Sequence, residues 1–202
     1  MQRSFSVYVE FDTTDVSPDT YADLFDTLHD VDGAAGPASN GNLSVRLTIE
    51  ADSVRQAIAR GIEHAQAAAT AHDITPTVTA VEAVTETERD RRLTDEDQEE
   101  EPRETALGAR STLGPFSVYV EFDETETCSD TYADLVDALH DVEGAAGPAS
   151  NGNLSVRLTI RAGSIMQAVA LGIEHAQAAS AALDITPVVI GFKGAITTEH
   201  PR

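Results

Sequence analysis

One stretch of this chain occurs twice, letter for letter, and it determines how many modules the chain contains. The residues from Gly33 to Ile49 recur without change from Gly144 to Ile160. At a constant offset of 111 positions the similarity extends over residues 5–88 and 116–199. A long internal period of this kind indicates a duplicated structural unit. We therefore predict a first repeat over residues 1–88, an acidic flexible linker over 89–115, and a second repeat over 116–202.

The order of secondary structure can be read from the first copy. Alternating apolar residues from Phe5 to Phe11 predict a strand with one buried face. Ser17 and Ser53 stand where helix N-caps are expected, and Thr77 to Val84 predicts the last strand. The first helix has an apolar stripe at helical spacing, formed by Tyr21, Leu24, Phe25, Leu28 and Val31. The second helix has another, formed by Val54, Ala57, Ile58, Ile62, Ala65 and Ala68.

The repeated stretch itself predicts a β-hairpin. Asn40-Gly41 is typical of a two-residue turn, because both residues tolerate positive φ. The following strand alternates apolar and polar residues from Leu43 to Ile49. The preceding strand is predicted over Ala34 to Ser39. It contains Pro37, which lacks an amide donor and therefore belongs at the edge of a sheet.

The resulting order is strand, helix, strand, strand, helix, strand. It predicts an α+β fold of two tandem ferredoxin-like (βαββαβ) repeats, with both helices of a repeat on one face of an antiparallel sheet. On the opposite face of the last strand we expect Thr77, Thr79 and Val81 in the first copy. In the second copy we expect the apolar residues Val188, Ile190 and Phe192 there. Apolar residues on an open face are usually covered, so we predict a sheet-to-sheet pseudo-dimer, formed within one chain or between two.

Six residues of the two central strand pairs are candidates for an interface or a ligand-binding face. They are Tyr8, Glu10, Arg46, Tyr119, Glu121 and Arg157. The tyrosines and arginines are expected to meet at the centre of the open sheet face. There they could lock a polar interface or grip an acidic ligand between two sheets.

The charge of the chain limits its partners. The formal net charge is −22, and the acids are spread over both copies: residues 5–88 carry 15 acids and 3 bases, and residues 116–199 carry 12 and 3. Such a surface repels phosphate backbones, so we expect no nucleic-acid partner. RNA recognition on this face would also need aromatic residues on both central strands, and Tyr8 supplies only one. The acidity favours solubility or a basic protein partner, and it is also typical of a salt-adapted proteome.

The residues that could carry chemistry form no recognisable constellation. The only cysteine, Cys128, aligns with Ser17 and has no identifiable base, so we read it as a neutral replacement. The segment from His29 to Asp32 could form a metal-binding corner, but a histidine at a helix C-terminus is also favoured by the helix dipole alone. The Gly-rich stretch lacks the ending of a phosphate-binding loop. We therefore predict no catalytic residue, cofactor or metal.

The beginning of the chain shows neither a targeting signal nor an apolar run long enough to span a bilayer. The first residues, Met1 to Ser4, lead directly into the first predicted strand. We therefore expect a cytoplasmic protein without a membrane partner.

The end of the first copy resembles a known family. Residues 81–93 read Val-Glu-Ala-Val-Thr-Glu-Thr-Glu-Arg-Asp-Arg-Arg-Leu and follow a strand-helix-hairpin-helix unit. This pattern resembles the N-terminal domain, which does not bind DNA, of uncharacterised helix-turn-helix regulators from high-GC bacteria. In those regulators a similar segment leads into the DNA-binding helices, whereas here it leads to the linker and the second copy. The resemblance implies a regulatory or oligomerising module and no catalytic residues.

Two functional hypotheses follow. The first is a non-enzymatic regulatory or interaction module that associates with itself, or with a protein partner, through its open sheet faces. The alternative is a small-ligand-binding protein, or an enzyme of the dimeric α/β barrel type, with a pocket between the two sheets.

Overall fold

The computed structural model describes residues 2–96, 115–125, 129–183, 185 and 188–196. These residues form two compact units, one over 2–96 and one over 115–196. Each unit combines helices with antiparallel strands, so the predicted α+β class is confirmed. In the described part of the chain, no helix is both long and apolar enough to cross a membrane.

Unit 1 contains four strands and three α-helices. The strands are β1 (Arg3–Phe11), β2 (Ala34–Pro37), β3 (Leu43–Ala51) and β4 (Val78–Thr85). The helices are α1 (Pro18–Thr27), α2 (Val54–Ala71) and α3 (Glu86–Glu96), with a 3₁₀ turn at His29–Val31. Neighbouring strands are antiparallel in the order β2-β3-β1-β4.

Unit 2 has the same order of strands and helices up to its last strand. Its strands are β5 (Pro115–Phe122), β6 (Ala145–Pro148), β7 (Leu154–Arg161) and β8 (Val189–Ile196). Its helices are α4 (Ser129–Ala138) and α5 (Ile165–Ala182), with a 3₁₀ turn at His140–Val142. Its strand order, β6-β7-β5-β8, corresponds strand for strand to that of unit 1.

The predicted helix starts are confirmed. The Oγ of Ser17 accepts a hydrogen bond from the Thr20 N–H at 3.2 Å, and Pro18 occupies the first helical position. The Oγ of Ser53 accepts from the Gln56 N–H, also at 3.2 Å. A side-chain oxygen at the N-cap satisfies an amide that has no acceptor within the helix.

The helices α1 and α2 pack on the side of the sheet that carries the apolar residues of β1. The alternating residues Phe5, Val7, Val9 and Phe11 are all buried, as are all six predicted positions of α2. Gly61 of α2 lies so close to Val7 that an added Cβ would stand 2.6 Å from Val7 Cγ1. The helix α1 joins the same layer, because Thr27 Oγ1 and His72 Nε2 are 2.9 Å apart.

The apolar stripe predicted for α1 is wrong at three of its positions. Leu24 and Leu28 are buried, whereas Tyr21 and Val31 are partly exposed and Phe25 is 50% exposed. The reason lies in the sheet beneath the helix. The helix α1 contacts the edge strand β2, which has four residues and only small side chains, so it can cover only a narrow part of the helix.

The predicted hairpin is present, but its loop is one residue longer than predicted. Gly41 N–H donates to the Ala38 carbonyl at 2.9 Å, and Ala38 N–H donates to the Asn42 carbonyl at 2.7 Å. Gly41 has φ +85°, whereas Asn40 is not among the residues with positive φ. A two-residue turn of the expected type needs positive φ at both positions. A three-residue loop, here Ser39 to Gly41, needs positive φ only at its last position. Because the loop is longer, β2 ends at Pro37 instead of Ser39.

The segment after β4 is more regular than the sequence indicates. The sequence predicts a flexible linker from residue 89, whereas α3 runs from Glu86 to Glu96. The Glu88 N–H donates to Thr85 Oγ1 at 3.3 Å, and the Glu88 carboxylate pairs with Arg91 at 2.7 Å. Residues 97–114 of the predicted linker lie outside the described residues.

Candidate interaction face

The side of each sheet opposite α1 and α2, or opposite α4 and α5, is here called the open face. In unit 1 its centre is formed by Tyr8 and Arg46, which lie directly opposite each other on β1 and β3. The Arg46 guanidinium carbon lies 5.3 Å from the centroid of the Tyr8 ring, and Arg46 Nη1 donates to Ser6 Oγ at 3.3 Å. Tyr8 is partly buried and Arg46 is exposed. The ring therefore holds the guanidinium in place while leaving its charge accessible to solvent.

Tyr8 keeps its proton at neutral pH. Burial raises the pKa of the Tyr8 phenol above its ordinary value of 10.0, and the Glu10 carboxylate raises the pKa further. The positive charge of Arg46 lowers the pKa of Tyr8, but by less. Tyr8 can therefore donate a hydrogen bond, and its hydroxyl does so to Glu10 Oε2 at 3.3 Å.

Glu10 connects the hairpin loop to the central strand. Its Oε1 accepts hydrogen bonds from Asn40 Nδ2 at 2.7 Å and from Asn42 Nδ2 at 2.9 Å. The Asn42 N–H in turn donates to Asn40 Oδ1 at 3.0 Å, which holds the loop in its conformation. The Asn-Gly-Asn loop therefore binds a carboxylate of its own chain.

Unit 2 repeats this arrangement around a more deeply buried carboxylate. Glu121 is only 1% exposed. Its Oε1 accepts hydrogen bonds from Asn151 Nδ2 and, at 3.1 Å, from Asn153 Nδ2. Tyr119 lies directly opposite Arg157, which is exposed. The identity of the two Asn-Gly-Asn loops thus has a structural explanation that needs no ligand.

The loop is poorly suited to the phosphate-binding role weighed for the Gly-rich stretch. The N–H groups of Ala38, Gly41 and Leu43 donate to backbone carbonyls, and that of Asn42 donates to a side chain. An anion cradle requires several backbone amides directed at the ligand. These four amides are already used within the chain.

A β-bulge changes which residues of the last strand lie on the open face. Glu10 pairs with Ala80 but Phe11 pairs with Val78, so Thr79 is an extra residue on β4. Beyond the bulge Val9 pairs with Val81 and Tyr8 pairs with Glu82. Because directly opposed residues share a face, Val81 lies on the helix side and Glu82 lies on the open face. The prediction of Val81 on the open face is therefore wrong.

The same bulge occurs in unit 2 and removes Phe192 from the predicted apolar patch. Val120 pairs with Phe192 and Tyr119 pairs with Lys193, while Ile190 is the extra residue. Phe192 is accordingly buried on the helix side, and Lys193 is exposed on the open face. A bulge shifts the alternation of a strand by one residue, and the sequence pattern showed no sign of it. On the last strands, Glu82 and Lys193 are the face residues that the sequence did not predict.

The six predicted residues fall into two groups of three. The structure brings Tyr8, Glu10 and Arg46 together on the open face of unit 1. In unit 2 it places Tyr119 directly opposite Arg157, and Glu121 lies two positions further along β5. The meeting of the two tyrosine–arginine pairs with each other stays a prediction.

The other chemical candidates yield no site in the described residues. In these ranges no group of three or more His, Cys, Asp or Glu side chains is placed to hold a metal ion. His140 Nδ1 lies 3.0 Å from Asp141 Oδ1, but both side chains are largely exposed. Cys128 lies outside the described residues.

Comparison with known proteins does not identify the chain. No family model and no curated protein matches it. One solved structure that it resembles is described as a "putative glycine cleavage system transcriptional repressor". The match covers 98% of this chain and 99% of that one, at 13% identity and a TM-score of 0.23. A likeness this low supports no conclusion about fold or function.

Proposed function

We propose that the protein is a non-enzymatic regulatory or interaction module, built from two ferredoxin-like repeats, that associates through its open sheet faces. The observation that supports this most directly is the tyrosine–arginine pair at the centre of each open face. Tyrosine and arginine are the side chains most enriched, together with tryptophan, among residues that dominate binding energy at protein interfaces. Each pair lies on the side of its sheet opposite α1 and α2, or opposite α4 and α5. In unit 1, α3 packs on β1 and β4, and its Glu86 reaches Thr48 on this same side.

The geometry of Arg46 favours association. Ordering a long side chain on binding costs about 0.5–1.5 kcal/mol. The Tyr8 ring and Ser6 Oγ already hold Arg46 in one position, which reduces that cost. Tyr8 contributes a large contact area with little side-chain entropy to lose.

The regulatory part of the proposal rests on the resemblance of residues 81–93 to the N-terminal domain of helix-turn-helix regulators. In that family the corresponding domain does not bind DNA. A cytoplasmic location stays a prediction from the sequence.

A second candidate is the binding of a small acidic ligand on the same face. Arg157 is exposed, and within the described part of the chain its guanidinium has no ion-pair or hydrogen-bond partner. A guanidinium binds a carboxylate through two parallel hydrogen bonds. Such a ligand would be seen as added mass on the intact protein.

The proposal predicts that the chain self-associates and that the central tyrosines are required. We expect the double variant Tyr8→Ser with Tyr119→Ser to associate at least about thirtyfold more weakly, because losing even one interface anchor costs about 2 kcal/mol or more. Sedimentation velocity over a range of concentrations measures the effect, and native mass spectrometry of the same samples would detect a bound small molecule.

Phe25→Ser is the matched control for this experiment, because Phe25 is an exposed aromatic residue on α1, in the helix layer. It should associate like the unmodified chain. A chain that stays monomeric at every concentration would refute the proposal, and a monomer carrying a bound acidic molecule would favour the second candidate.

A further inference from the structure

The two open faces differ in the sign of their charge. At the offset that relates the copies, Glu50 corresponds to Arg161 and Glu82 corresponds to Lys193. Glu50 and Arg161 lie at the ends of β3 and β7, and Glu82 and Lys193 lie beside the central tyrosines. Both acid-to-base exchanges therefore fall on the open face.

The basic residues of unit 2 are concentrated on this face. Residues 116–199 contain three bases, Arg157, Arg161 and Lys193, against 12 acids. All three are exposed on the open face. In the ranges that the structure describes, none of the three forms an ion pair or a side-chain hydrogen bond. A strongly acidic unit thus collects its cations on one surface and leaves them without partners of their own.

Unit 1 presents the opposite balance. The strands of its open face carry the carboxylates of Glu10, Glu50 and Glu82 around Arg46. Arg3 lies at the start of β1, opposite Ala51. The other two bases before α3, Arg55 and Arg60, belong to α2 in the helix layer. In unit 2 their positions are occupied by Met166 and Leu171. Over residues 5–88 and their counterparts, basic residues are therefore gained only on the sheet face and lost only in the helix layer.

We propose that the open face of unit 2 binds the open face of unit 1 in a second copy of this chain. Each chain carries one face of each sign, so a second copy offers a complementary face. This inference rests on the proposed association through open faces and specifies its pairing: unlike units meet, and like units do not.

Charge complementarity selects this partner over the alternatives. Two unit 1 faces would bring six carboxylates together, and two unit 2 faces would oppose six cations, which costs several kcal/mol for each close pair of like charges. A nucleic acid would meet three cations on a chain whose formal net charge is −22, so long-range repulsion opposes it. A second copy offers an acidic face of matching architecture.

Reversing the charges of one face should prevent self-association, and complementary variants should restore it together. We expect Arg161→Glu with Lys193→Glu to weaken self-association about a hundredfold, and Glu50→Arg with Glu82→Lys to do the same. An equimolar mixture of the two variants should form heterodimers, because a basic face then meets an acidic face again. Sedimentation velocity on the full chain, with one variant fluorescently labelled, measures both effects.

The control is Arg55→Glu, which lies in the helix layer and changes the net charge by the same amount as the single reversal Lys193→Glu, with which it is compared. It should self-associate almost like the unmodified chain. Association of the unmodified chain should also weaken as salt rises, because the Debye length falls from about 8 Å at 0.15 M to about 3 Å at 1 M.

Each other outcome overturns the inference in a recognisable way. A monomeric unmodified chain would remove the proposed function along with it. A dimer that both reversals leave intact would retain association and refute the pairing of unlike units. Variants that fail to recover when mixed would show that their loss of association does not come from the charges of these faces, which also refutes the pairing. A monomer whose unit 2 face binds added poly-glutamate would instead assign that face to an acidic partner protein.

Discussion

Replacing Glu121 by leucine is expected to destabilise unit 2 more than any other single change on its open face. The carboxylate is 1% exposed and accepts hydrogen bonds from Asn151 and Asn153. Leucine would leave both amide groups without this acceptor. Asn153 is buried and Asn151 partly buried, and a buried donor left unpaired costs about 1–3 kcal/mol. We therefore expect a loss of about 2–5 kcal/mol in the free energy of unfolding.

The duplication supplies an internal comparison for this experiment. Glu10 makes the same contacts in unit 1 but is only partly buried, so Glu10→Leu should cost less because water can replace the lost acceptor. Glu174→Leu, at an exposed position of α5, should have little effect. Hydrogen exchange measured by mass spectrometry distinguishes the units, since peptides from β1 and β5 differ in their flanking residues. Equal losses from both glutamate variants would contradict the account.

Substituting alanine for Gly61 is expected to separate α2 from the sheet. The added Cβ would lie 2.6 Å from Val7 Cγ1 and 3.0 Å from Val7 Cβ. A Cβ cannot rotate away, so the helix backbone must move. Overpacking typically costs about 1–3 kcal/mol, whereas alanine gains about 1 kcal/mol over glycine in helix propensity. The clash is severe enough that we expect a net loss of about 1–2 kcal/mol.

Two companion variants test whether the clash is the cause. Gly36→Ala introduces a Cβ with no atom within 4 Å, so it should be neutral or slightly stabilising. Adding Val7→Ala to Gly61→Ala should give a combined loss smaller than the sum of the two single losses, because the shortened side chain makes room. Urea unfolding followed by circular dichroism measures these differences. Additive losses would show that the contact with Val7 is not responsible.

The parts of the fold that depend on local sequence could be predicted. The caps at Ser17 and Ser53 and the buried stripe of α2 follow from neighbouring residues alone, and the structure confirms them. The exposure of Phe25 could not be predicted in this way, because it depends on how little of α1 the short strand β2 can cover.

The candidate face also has a part that local sequence predicts and a part that depends on pairing with a neighbouring strand. The alternation along β1 and β3 places Tyr8 and Arg46 on one face correctly, since both strands run without a break. The last strand contains an extra residue, Thr79 in unit 1 and Ile190 in unit 2. A bulge arises from pairing with the neighbouring strand, which the sequence of one strand does not encode. Because of that shift, Lys193 lies on the open face, where the sequence pattern predicts Phe192.

The central claim, association through the open faces, can be tested at Lys193. It is the only lysine in the chain, and it is exposed beside Tyr119. An amine-reactive ester therefore labels two groups, Lys193 and the N-terminal amine, and the second serves as an internal reference. The account predicts that labelling of Lys193, relative to that reference, falls several-fold as the protein concentration rises through the association range. If the chain associates and Lys193 is labelled equally at all concentrations, the contact lies elsewhere and the account is wrong.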